Sequence, residues 1–275
     1  MDIKDALEIV SQTHPGMVRA HNEDSVTYDA SSGLVVLADG MGGYNAGEVA
    51  SGIAVSVLAT EARHYLEKHR PEEMDAFSGE DVAVVVLRDN VLKANSSIFH
   101  AAQSQPQYAG MGTTIVTALF YDNRVAVAHV GDSRMYRLRG EIFESVTRDH
   151  SLLQEQIDSG MISVADARLS KNKNLVTRAV GIDAEVEPEV HVYDVQMGDI
   201  YLLCSDGLND MVADDEIGDA VLAFRANLSK AATQLIQMAN DNGGRDNVSV
   251  ILVKIKSNFA APRRWWMKLL SWFRN

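Results

Sequence analysis

Cysteine is almost absent from this chain of 275 residues: Cys204 stands alone. One cysteine excludes an internal disulfide framework and makes a reducing compartment the expected setting. No apolar run approaches the roughly 18 residues of a membrane span. The N-terminal Met1-Asp2-Ile3-Lys4-Asp5 lacks the basic-then-apolar layout of a signal peptide. There is no internal repeat and no low-complexity stretch. These absences predict a cytoplasmic globular protein with one sizeable core.

Net positive charge is lacking too. The formal charge is −13, and residues 257–275 alone carry +4, which leaves −17 on residues 1–256. Such an acidic body argues against nucleic-acid binding.

What the chain does have is β signal in short blocks. Leu34–Ala38, Thr113–Phe120, Arg124–Val130, Arg134–Leu138, Asp199–Cys204 and Asn247–Ile255 are β-branched or aromatic-rich and bounded by Gly, Asp or Asn. Tyr121-Asp122-Asn123 and Arg139-Gly140-Glu141 read as hairpin turns, so 112–146 is expected to form one antiparallel meander. Amphipathic stretches at Ala46–Glu67, Asp81–Gln103 and Ser229–Asn240 predict helices, with a short one near Leu152–Ser159. The expected class is α+β, with antiparallel sheets covered by helices. Residues 148–181 are irregular and read either as a flap over a site or as a plain surface excursion.

Five aspartates sit in short polar stretches: Asp24, Asp39, Asp132, Asp206 and Asp246. Each lies at or near the end of a predicted strand, or in a loop beside glycine, asparagine or serine. Singly, Asp-Gly after a strand is a turn. Together, carboxylates converging on one sheet edge suit hard divalent cations. Two Mg²⁺ or Mn²⁺ ions about 3.5–4 Å apart generate a bridging hydroxide that can attack phosphorus in line. Arg19, five residues before Asp24, can hold a phosphate by a bidentate pair.

Seven segments in order carry a resemblance. They are Arg19-Ala20-His21-Asn22-Glu23-Asp24, Ala38-Asp39-Gly40-Met41-Gly42-Gly43, Gly110-Met111-Gly112-Thr113-Thr114 and Val130-Gly131-Asp132-Ser133-Arg134. Then come Thr147-Arg148-Asp149-His150-Ser151, Ser205-Asp206-Gly207-Leu208 and Gly244-Arg245-Asp246-Asn247. The chain resembles the metal-dependent (PPM, type 2C) serine/threonine protein phosphatases, of the compact bacterial type, over residues 7–256.

The resemblance implies a four-layer αββα sandwich: two antiparallel β-sheets flanked by helices, with a dinuclear Mn²⁺ or Mg²⁺ site at one end. Asp39 would bridge both ions, the Gly40 carbonyl would bind the first, and Asp206 and Asp246 the second. Glu23 and Asp24 would act through water, Arg19 would hold phosphate, and Asp132 would serve a weaker third ion. It also implies phosphoserine and phosphothreonine proteins as substrates, a cognate kinase whose work is opposed, and a flap at 148–181. Where some relatives carry a histidine as general acid, this chain has Met41, leaving His21 and His150 as candidate proton donors beside metal-bound water. A catalytically silent module and a hydrolase of small phosphoesters are the competing readings. A cysteine phosphatase is excluded, because the loop C-x₅-R would need arginine where Asp210 stands.

The domain division is a catalytic domain over 1–256, expected to be a monomer, and a tail over 257–275. All three tryptophans lie in that tail. On a helix, Trp265, Trp266, Leu269, Leu270, Trp272 and Phe273 share one face, and Lys268, Ser271 and Arg274 the other. Residues 262–274 are expected to meet a membrane surface or a partner groove.

Overall fold

A computed structural model describes residues 3–43, 46–163, 166 and 175–261. The expected tail helix at 262–274 and Lys171–Asn174 lie outside them. Among the described residues, a short turn of helix, α1 (Ile3–Ala6), is followed by eleven strands with six further α-helices and one 3-10 turn, Pro106–Tyr108, among them. The strands are β1 (Leu7–His14), β2 (Asp24–Asp29), β3 (Leu34–Met41), β4 (Gly112–Thr113), β5 (Ile115–Tyr121), β6 (Arg124–Val130), β7 (Arg134–Arg139), β8 (Ile142–Ser145), β9 (Glu189–Asp194), β10 (Ile200–Cys204) and β11 (Val248–Ile255). The helices are α2 (Ala46–Leu66), α3 (Val82–Ser104), α4 (Leu152–Asp158), α5 (Asp206–Asn209), α6 (Asp214–Ala223) and α7 (Leu228–Asp241).

The strands form two antiparallel sheets. One has the order β1-β11-β10-β7-β8; the other is β2-β3-β5-β6-β9, with β4 attached to β3. Burial on both faces explains why the central strands are nearly continuous runs of apolar residues. In β3, Leu34, Val36 and Ala38 point outward under α2 and α3, while Val35 and Leu37 point between the sheets. The inter-sheet layer joins Val35, Leu37, Phe120 and Val127 to Tyr201, Leu203, Ile251 and Val253. Phe120 and Tyr201 meet edge to face there, with ring centroids 5.4 Å apart. A third apolar layer lies under α6 and α7. Three apolar layers between four structural layers make the αββα sandwich.

The expected meander over 112–146 is not one meander. β5 and β6 form a hairpin in one sheet, whereas β7 and β8 form a hairpin in the other. The chain crosses between sheets at Gly131-Asp132-Ser133, where Gly131 has φ +106°. That conformation favours glycine. The first expected turn holds, with Asp122 (φ 43°) and Asn123 (φ 55°) between β5 and β6.

Helix α2 lies close to its sheet because its buried side is nearly all small: Ala46, Gly47, Ala50, Ala54 and Ala62, with Leu58. A Cβ placed on Gly40 would stand 2.1 Å from the Gly47 carbonyl oxygen and 2.6 Å from that of Glu23. Any side chain at Gly40 would therefore push α2 off the end of β3.

Candidate metal centre

All five aspartates are carried to strand ends or crossovers. Asp24 opens β2, Asp39 lies near the end of β3, and Asp132 sits in the crossover after β6. Asp206 opens α5 directly beyond β10, and Asp246 precedes β11. The mutual charge effects place them together: Asp39 feels Asp24, Asp206, Asp132 and Asp246, in that order. Asp206 feels Asp132, Asp210, Asp246 and Asp24.

Burial, and then these neighbouring charges, push Asp39 and Asp206 well above the usual carboxylate range. Burial raises Asp24 to about 6, despite the nearby hydroxyls of Ser249 and Ser205, which pull the other way. Asp132 is likewise pushed to about 6, by burial and the charge of Asp149. Buried like charges without a counter-charge are strongly unfavourable. The chemistry of this donor set therefore fits divalent cations.

Asp24 supplies an independent observation. Its Oδ2 accepts from Ser205 Oγ at 2.8 Å, while its buried Oδ1 has no hydrogen-bond partner. An unpartnered buried carboxylate oxygen next to Asp39 suits a cation or its water. Ser205 is fixed in turn by the backbone N–H of Ser249, 3.0 Å from its Oγ. Asp39 is held through its backbone: its N–H donates to Thr114 Oγ1 at 3.2 Å, and its carbonyl accepts from Thr113 Oγ1 at 2.8 Å. Thr114 Oγ1 and Ser133 Oγ, 2.7 Å apart, tie this corner to the crossover that carries Asp132.

The loop bearing Arg19 and Glu23 is anchored by Asn247. Its Nδ2 donates to the carbonyls of Pro15 (3.0 Å) and His21 (2.8 Å), and its Oδ1 accepts from Glu23 N–H at 2.7 Å. Glu23 is raised by burial first, and by Asp246 and Glu48, against the opposing pull of Arg19. Arg19 Nη2 donates to Asp246 Oδ2 at 2.6 Å with about half its side chain exposed, so its guanidinium reaches the centre from solvent. Ser205, Asn247 and Thr114 carry no role in the sequence reading. Their signal, a polar residue inside or beside a buried strand end, becomes meaningful only once the partners are known.

His150 does not face the aspartates. Its Nδ1 accepts from Gly131 N–H at 3.2 Å, its Nε2 is 3.4 Å from Glu189 Oε2, and its ring stacks on His129 at 4.7 Å. His129 Nε2 donates to the Arg148 carbonyl at 2.8 Å. Burial lowers both histidines. Ligand atoms of His129, His150 and Glu189 lie within 4.8 Å of one another. Because Nδ1 of His150 accepts a hydrogen bond, the neutral ring carries its proton on Nε2, facing Glu189, where a metal would need a lone pair. This group braces the base of residues 148–151 against β9. Met41 lies beside Gly112, and an added Cβ on that glycine would stand 3.1 Å from Met41 Cε.

The chain is similar to known proteins over most of its length. The protein-family description Protein phosphatase 2C matches residues 17–252. The serine/threonine phosphatase stp of Listeria monocytogenes (serovar 1/2a) is 37% identical over 246 residues, covering 88% of this chain and 94% of that protein. The crystal structure of the Mycobacterium tuberculosis serine/threonine phosphatase PstP/Ppp superposes with a TM-score of 0.82 at 36% identity, covering 91% of this chain and 99% of that one. A structure of the PstP catalytic domain with two manganese ions gives a TM-score of 0.79 at 35% identity, covering 91% and 99%.

Proposed function

The chain belongs to the protein phosphatase 2C family, and from that membership we propose that Asp39, Gly40, Asp206 and Asp246 build its two-ion centre. The protein is a metal-dependent protein-serine/threonine phosphatase that uses Mn²⁺ or Mg²⁺. When bound, such ions polarise phosphoryl oxygens and make water acidic enough to act as a nucleophile near neutral pH.

The chain's own residues would divide the remaining work. Asp39 and the Gly40 carbonyl hold one side of the centre, and Asp206 and Asp246 the other. Asp24 and Glu23 accept hydrogen bonds from ordered water, which the free Asp24 Oδ1 supports. Arg19, paired with Asp246 in this structure, would clamp the substrate phosphate bidentately. Asp132 would serve a weaker third ion, and Arg148, Asp149 and Ser151, which share a cavity wall with it, would begin the flap. The observation that carries the reading is the crowding of Asp24, Asp39 and Asp206, on each of which the neighbouring charges that weigh most are other aspartates.

The test is hydrolysis of an aryl phosphate and of a phosphothreonine peptide, with and without Mn²⁺. Mn²⁺-dependent turnover of both is expected. No turnover would favour a silent module, and turnover of the aryl phosphate alone a small-molecule hydrolase.

The substrates are phosphorylated serine/threonine proteins, and the enzyme would oppose a serine/threonine kinase as a cytoplasmic monomer. No helix among the described residues is long and apolar enough to cross a membrane. Residues 262–274 would instead dock on an anionic membrane surface. The chain leading to them supports this arrangement: Phe259 N–H and Ala261 N–H donate to Asn123 Oδ1 and Asp122 Oδ1, both at 2.8 Å. That turn lies at the opposite end of β6 from Asp132, so an anchored tail would leave the aspartates clear. Liposome co-sedimentation of the full chain against a 1–256 truncation tests this, and equal sedimentation would remove the membrane reading.

A further inference from the structure

A cavity of about 570 Å³ opens between α4 and the segment that joins α5 to α6. Asp132 forms part of its wall, and Asp132 is also the neighbouring charge that weighs most on Asp206. The cavity therefore continues directly from the aspartate centre. Its volume is ample for one or two side chains.

The lining is of two kinds. Leu153 and Ile157 of α4 face Met211 and Val212, giving an apolar sleeve. The wall is also net acidic: Asp132, Asp149, Asp210 and Asp214 line it against Arg134 and Arg148. Neither arginine is at liberty. Arg134 spends Nε and Nη2 on the two oxygens of Asp149, at 2.8 and 2.7 Å, and Nη1 on Tyr136 Oη at 3.0 Å and Asp214 at 3.4 Å. Arg148 is turned to Asp158, which is not part of the wall.

Apolar lining within a net negative wall suits a lysine or arginine side chain, whose methylene stem packs while its cation is drawn by the carboxylates. The same wall repels an acidic residue or a second phosphate. We infer that this cavity receives a lysine or arginine of the phosphoprotein substrate, close in sequence to the phosphorylated residue, and so sets a preference for basic phosphosites. The inference rests on the phosphatase reading above.

The experiment uses the full chain and a set of phosphothreonine peptides in which one lysine is walked through about four positions on either side, a span an extended chain can bring to the cavity. The expected result is a rise of about tenfold in kcat/KM at one or two positions on one side only. Leu153→Lys and Ile157→Lys, at half-buried sites, each place a cation in the sleeve. Both should cut that preference to about twofold or less, while p-nitrophenyl phosphate, too small to reach the sleeve, is turned over at the wild-type rate. A flat lysine scan with normal aryl phosphate turnover overturns the inference and leaves the phosphatase reading standing. A preference that fades as Mn²⁺ is raised identifies a metal ion as the occupant and also overturns it. Absence of Mn²⁺-dependent turnover on every substrate overturns both.

Discussion

Asp24 and Asp39 are direct partners across the antiparallel β2–β3 ladder. Like charges in that position are destabilising in an ordinary sheet. Here Asp24 is buried and Asp39 half-buried, one oxygen of Asp24 has no partner, and Asp24 is the charge that raises Asp39 most. A cation beside the pair would relieve that repulsion.

Removing a ligand should therefore separate activity from stability. Asp39→Ala and Asp206→Ala are each expected to lower phosphopeptide kcat by about a thousandfold or more. In EDTA each variant should melt no lower than the wild type, because one of several crowded like charges has been removed. Near-wild-type kcat in either would sink the assignment of these ligands.

Stability without metal should depend on pH in a definite direction. Burial raises the folded-state pKa of Asp24 and Asp132 from 3.8 to about 6. A raised carboxyl binds more protons folded than unfolded, so its contribution is complete below the unfolded pKa and is lost as pH rises through about 6. In EDTA, the melting temperature of the wild type relative to Asp24→Asn should fall between pH 4 and 6, and Mn²⁺ should restore it. A difference that does not change with pH would refute the raised pKa.

Ser205 is expected to matter through Asp24. Ser205→Ala leaves Asp24 Oδ2 and the Ser249 N–H without the partners they have now. Loss of about 1–3 kcal/mol is expected, with Mn²⁺ affinity weakened about tenfold. Calorimetric Mn²⁺ titration decides the point. Unchanged affinity would make the serine a packing residue only.

Asn247 should govern the Arg19 loop. Asn247→Ala removes three hydrogen bonds that fasten residues 15–23 to the start of β11. Both Asn247→Ala and Arg19→Ala are expected to raise KM for the phosphopeptide about tenfold, the cost of misplacing or losing a phosphate clamp. An unchanged KM in Asn247→Ala would show that the loop is held by other contacts.

Gly207 gives a backbone test. A Cβ there would stand 1.9 Å from the Asn247 carbonyl oxygen. Gly207→Ala is expected to destabilise the protein by about 2 kcal/mol or more, because two backbones must separate. Thermal melting of the variant checks this.

The most apolar elements were the most legible. The run Arg124–Val130 coincides with β6 residue for residue, and Ala46–Leu66 and Val82–Ser104 lie within one residue of their expected limits. Three strands escaped notice, β1, β2 and β9, and β8 was implied only as the arm after the Arg139-Gly140-Glu141 turn. Their half-buried or exposed faces carry Glu, Ser, Thr, His and Asp among the apolar residues, so local pattern is weak. Helix α6 was hidden in the same way, behind its opening Asp214-Asp215-Glu216. The single meander failed because adjacent hairpins in sequence need not share a sheet, and the two-residue turn chemistry of Tyr121–Arg124 says nothing about the next crossover.

The order of the aspartates and their glycine and serine neighbours was determined by sequence alone, since strand-end carboxylates with small flanking residues are a local pattern. Which of them are neighbours was decided only by the sandwich. The β2–β3 register puts Asp24 opposite Asp39, and the crossover at Gly131 brings Asp132 from one sheet toward Asp206 on the other. Small residues along α2 let it settle against Gly40. Local propensity acts over a few residues, whereas the repulsion of buried charges acts through space, and only the packed fold defines those distances.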